Sequence, residues 1–203
     1  MQADKAIAAQ EALAKGTSSN YGVINDTPFY DTALCAVATT EHRLFSSGIG
    51  KPFTGAAVTK MKCDTNLTSE GIGNTERFRV KGIGISYYCI SIVTNQTLLD
   101  ILDTLNNTVV EFFVNNKPSQ FTAPLSLVMG MNFNVVHLPT VAGDNVNSHV
   151  HSSGKAFYPI NSDIVLAANT KYEVIMTHTA ATVAAQAGDK IRVTLAGLWE
   201  RLL

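Results

Sequence analysis

The chain has 203 residues, 46% hydrophobic and only 15% charged, with a formal net charge of −1. That is ample apolar material for one large core, and no overall field draws the molecule to nucleic acid or anionic lipid. The charged fraction lies well below the roughly 25% usual for soluble domains, so the surface desolvates cheaply and favours assembly over life as a free monomer.

Residues 3–15 (ADKAIAAQEALAK) are strong helix formers, with Asp4 near the start, Lys15 in the last turn and Gly16 just past it. Propensity, charge placement and stop signal agree on a short helix. Its apolar face, carrying Ile7 and Leu13, is thin and needs a surface to lie on. The turn-rich GTSSNYG that follows makes 1–20 an arm and 21–203 the body. The leading segment breaks its apolar stretch at Gln10 and Glu11, so no secretion signal is expected there. No apolar run reaches the roughly 18 residues that span a bilayer.

Beyond the arm the pattern changes to short β segments separated by turn clusters. Strands are predicted near 33–40, 56–63, 77–94, 108–115, 121–129, 163–167, 171–178 and 190–199. About eight antiparallel strands with little helix between them indicate an all-β sandwich or barrel. Arg77, Arg79 and Lys81 alternate with Phe78 and Val80, the period of a half-buried strand. Gly82 and Gly84 mark a bulge or bend in that strand. Asn115-Asn116 and Asn169-Thr170 read as turns. TLLDILDTL at 97–105 has helical spacing and predicts a short helix in a connection. The stretch 130–162 is the least regular and is expected to make contacts between subunits.

The sharpest enzymatic signal is His149-x-His151 in GDNVNSHVH, which resembles the opening of the cupin metal-binding motif. The resemblance then breaks off. No Glu follows at the expected interval, no third His appears in a second motif, and two imidazoles leave a metal under-coordinated. Neither a phosphate-binding glycine loop nor a nucleophile elbow is present. No cofactor, metal or small-molecule substrate is expected, and the chain is read as non-enzymatic. A carbohydrate-binding sandwich is the other alternative, but Trp199 is the only Trp, and Tyr87 and Tyr88 fall within a strand rather than on an aromatic platform. The three cysteines, Cys35, Cys63 and Cys89, lack metal-binding spacing and read as buried, reduced thiols. Arg77, Arg79 and Lys81 form the one basic stripe, read as a solvated or intersubunit face. With Ile7 and Leu13 they make up the expected subunit interface. Direct contact with nucleic acid is not expected, because Lys5 and Lys15 of the arm are balanced by Asp4 and Glu11.

The chain resembles bacteriophage virion proteins with a jelly-roll fold. The resemblance rests on the stretches TPFYDTALCAVATTEHRLFSSGIGKPFTG, TNLTSEGIGNTERFRVKGIGISYY, DIVLAANTKYEVIMTH and KIRVTLAGLWERLL, and covers most of 27–203. It implies a single jelly-roll capsid subunit, made in the host cytoplasm and built into the virion, whose partners are its own copies and other virion proteins. A minor, vertex or decorating protein is the alternative role within the particle. It carries over no catalytic residue.

Overall fold

The computed structural model describes residues 21–36, 38–68, 72–88, 106–115, 117, 120–129, 157–168, 170–179 and 188–202. The expected arm helix, with Ile7 and Leu13, lies outside the described residues, as do the helix at 97–105 and the His149/His151 pair.

Among the described residues the chain forms nine strands and one short helix. The strands are β1 (Tyr21–Asn25), β2 (Phe29–Leu34), β3 (Glu41–Leu44), β4 (Glu76–Tyr88), β5 (Thr108–Val114), β6 (Phe121–Pro124), β7 (Tyr158–Ala167), β8 (Tyr172–His178) and β9 (Lys190–Leu202); helix α1 (Leu125–Met129) follows β6. They make two antiparallel sheets. The first runs β1-β9-β4-β7, with β2 sharing the β1 edge of β9, and the second runs β3-β8-β5-β6. The protein is therefore all-β, as its alternating patterns predict. The pairs β5 with β6, β4 with β7, β3 with β8 and β2 with β9 nest inside one another, so the chain is a long hairpin folded over into two layers.

Alternation explains which faces meet. On β9, Ile191, Val193 and Leu195 are fully buried, with half-buried Arg192 and Thr194 between them. On β4 the inward residues are Phe78 and Val80, then Ile83 and Ile85. That sequence changes parity, which a regular strand cannot do. A bulge between Val80 and Gly82 absorbs the extra residue, Lys81, and restores the core face. From the other sheet, Val110, Phe112, Val174 and Met176 join the same core. Aromatic pairs close the gap between the layers: Phe29 lies 5.9 Å from Tyr172, and Phe121 lies 5.5 Å from Tyr158. Each fully buried core side chain, such as Phe112 or Leu195, contributes about 1.5–3 kcal/mol.

Four expectations are corrected. The strand placed at 33–40 lies earlier, as β2, because the chain turns after Cys35 and Ala38 takes a left-handed φ of 62°. The strand at 56–63 is instead part of a looped excursion whose only ladder is the single bridge Pro52–Thr59. The strand at 121–129 stops at Pro124, which cannot donate to a ladder, and passes into α1, which buries Leu125, Val128 and Met129. The irregular stretch placed at 130–162 gives way to β7 at Tyr158. Strands β1 and β3 were not foreseen. In β3 the inward residues are His42 and Leu44, with charged Glu41 and Arg43 facing out.

Candidate functional site

Between β3 and β4 the chain makes its longest described excursion, 45–68, and this segment is held more tightly than a connection requires. Residues 50–60 form a small hairpin: Lys60 N donates to Lys51 O at 2.8 Å, Gly50 N to Lys60 O at 3.0 Å and Phe53 N to Val58 O at 2.9 Å. Gly50 and Gly55 adopt φ near 79° and 78°, conformations that suit glycine. The returning segment lies beside β2, where Tyr30 N donates to Asn66 Oδ1 at 2.9 Å and Asn66 N to Tyr30 O at 3.2 Å.

Polar pins fix the excursion to the body. Lys60 Nζ lies 2.7 Å from both carboxylate oxygens of Asp31 on β2, and both side chains are buried. Phe45 N also donates to Asp31 at 2.6 Å, and Lys60 gives a further hydrogen bond to Ser47 O at 3.2 Å. Burial outweighs the nearby Lys60 charge and these hydrogen bonds, so the Asp31 carboxyl is held above its usual range. Lys190 on β9 pairs with Asp64 at 2.7 Å. Burial alone would raise the Asp64 carboxyl. Hydrogen bonds from Lys190 and from Met61 N, with the charges of Lys190 and Arg192, instead hold it below its usual range. The buried ring of Phe53 contacts both ammonium groups, its centroid 5.6 Å from that of Lys60 and 5.5 Å from that of Lys190. Arg192 stacks on Tyr30 and Tyr88 while donating to Cys63 O and Thr32 Oγ1.

These pins present apolar groups to solvent. Val58 is 58% exposed and Met61 63% exposed, whereas Lys60 between them is 1% exposed, the reverse of what hydropathy assigns. An open cleft of about 490 Å³ is lined by Ile49, Gly50, Thr59, Met61, Lys62 and Cys63, among others. Arg192, which holds the Cys63 carbonyl, also donates to the hydroxyl of exposed Tyr88 at 3.4 Å. Exposed Met61 and Val58 on a backbone held by hydrogen bonds and ion pairs suit contact with another protein, since little ordering entropy remains to be lost.

Of the residues expected to form an interface, Arg77, Arg79 and Lys81 lie among the described residues. Arg77 and Arg79 are partly buried on β4, and both pair with Glu200 on β9, Arg79 at 3.0 Å. Lys81 is exposed on the bulge, which separates it from the two arginines. Cys35 is buried, and burial, with the Asp189 charge, pushes its thiol up to about 12. Cys63 is exposed, contrary to expectation, and Cys89 lies outside the described residues. The pinned excursion itself was missed because AAVTKMKC reads as a strand. The available signal was Lys60 within its apolar alternation, preceded by Gly50 and Gly55. No known family, curated protein or solved structure matches this chain.

Proposed function

We propose that this protein is a virion structural protein, a capsid-forming jelly-roll subunit that assembles with its own copies and with other virion proteins. The nested strand pairs support the jelly-roll reading: eight positions, with β1 and β2 together filling one edge position, divide into two four-position antiparallel sheets. Such a fold hosts several functions, so the site must carry the role. The observation that carries it is the excursion 45–68, where a buried ion pair and two cation–ring contacts hold Val58 and Met61 outward. A free monomer gains nothing from a rigid apolar rim, whereas a shell subunit needs several distinct contact surfaces.

The test is assembly. Full-length protein studied by light scattering and electron microscopy across concentration and salt should form large oligomers or shells. Val58→Asp with Met61→Asp should abolish them while leaving the far-ultraviolet circular dichroism unchanged. Wild-type protein that stays monomeric under every condition would overturn the reading. Discrete small rings, or binding only to preformed particles, would replace the shell-forming role by a vertex or decorating one.

A further inference from the structure

His42 on β3 and His178 at the end of β8 are each 4% exposed. Their strands are neighbours, with His42 opposite Met176, so His178 is its diagonal partner on the same face. The rings meet edge to face with centroids 4.8 Å apart. His178 Nδ1 is hydrogen-bonded to the buried Thr108 hydroxyl on β5. Nε2 of both rings is buried without a hydrogen-bond partner among the described residues. His178 N closes the same corner by donating to Thr40 O at 2.8 Å.

We propose that this histidine pair is an acid-responsive latch, neutral while the β3–β8–β5 corner is closed and opening that corner when it takes up protons. The surrounding charges offer no compensation. Glu41 and Glu173 are engaged by Arg43 at the surface, and Asp31 is engaged by Lys60. Glu111 on β5 stands opposite Ile175 rather than either histidine. Lys60 lines the same cavity of about 100 Å³ as His42, along with Glu41, Arg43 and Thr54. A first proton thus faces a second imidazole and an ammonium. In agreement, burial and then the His178 charge lower His42 from 6.5 to about 4, and burial lowers His178.

The sign follows from linkage. The unfolded chain takes up these protons first, so the latch's stability is complete above about pH 6.5 and is lost as pH falls towards 4. For His42 alone the unfolding equilibrium constant rises roughly thirtyfold between pH 7.5 and 5. The experiment is histidine NMR on the full chain, with denaturant unfolding at both pH values. Expected are a His42 imidazole that remains neutral to pH 5 while the protein is folded, a His178 imidazole that titrates below its usual range, and a pH dependence reduced at least tenfold in His42→Phe and to a lesser degree in His178→Phe. Either ring titrating near 6.5 in the folded protein overturns the latch, as does an identical pH dependence in wild type and variants. Should the variants not fold, the wild-type titration decides alone. The readout is subunit stability, so it is independent of whether the protein assembles.

Discussion

Asp31 and Lys60 stand 29 positions apart in the chain, on β2 and at the base of the hairpin, yet their charged groups meet at 2.7 Å in the interior. The pair ties the outer loop to the edge of the first sheet. It is better understood as a device for fixing geometry than as a source of stability, because the desolvation of two buried ions offsets most of their attraction.

Single and double replacement should therefore behave oppositely. Lys60→Met alone leaves Asp31 buried without its cation and should cost about 3–5 kcal/mol. Asp31→Leu combined with Lys60→Met should cost far less or be neutral, while loosening residues 50–60. Denaturant unfolding gives the first comparison and amide exchange the second. Equal destabilisation by the single and double changes would show that the pair is a net stabiliser.

Glu200 offers a second asymmetry, since one carboxylate serves both Arg77 and Arg79. Removing it by Glu200→Ala takes two charge-assisted hydrogen bonds and should cost about 1.5–3 kcal/mol. Arg77→Ala leaves the Arg79 contact in place and should cost under about 1 kcal/mol, given the solvent access of both guanidinium groups. Chemical unfolding of the two variants checks the order, and a larger loss from Arg77→Ala would contradict it.

The β body was largely legible because period-2 alternation survives wherever one strand face meets the core, as in Phe78 and Val80 or Ile191, Val193 and Leu195. Even the bulge was signalled by Gly82. The excursion was not legible, because Lys60 is buried by a partner 29 residues away while Val58, two positions before it, is exposed. Periodicity reports the average environment of a segment, and here a single long-range ion pair inverts it. The arginine stripe illustrates the same limit: the alternation of Arg77 and Arg79 was right, but only the β4–β9 register brings Glu200 between them.

Two glycines separate the body from the excursion. A Cβ on Gly197 would lie 2.2 Å from Arg79 O and 2.8 Å from the Phe78 ring, inside the longest ladder of the protein. Gly197→Ala should accordingly prevent stable folding, seen as insoluble expression or loss of the cooperative thermal transition. A Cβ on Gly48 would lie 2.5 Å from Leu67 O, a contact confined to the excursion. Gly48→Ala should keep the β circular dichroism signal but raise amide exchange across 45–68 and weaken assembly. A Gly48→Ala protein with wild-type exchange there would mean that the loop is not held by this close approach.

Thiol chemistry reads the candidate surface directly. Cys63 is exposed, lines the cleft beside Met61, and its carbonyl oxygen is held by Arg192. Cys35 is buried, with its thiol pushed up to about 12, and so is almost wholly protonated at neutral pH. Peptide-resolved alkylation at pH 8 should label Cys63 within minutes in the dispersed subunit and leave Cys35 unmodified until denaturant is added. In assembled material Cys63 should become protected at least tenfold, because the cleft is then covered by a neighbour. Labelling of Cys63 at the same rate in dispersed and assembled protein would place the subunit contact elsewhere, and rapid labelling of Cys35 in the folded chain would mean that the β2 edge opens on that timescale.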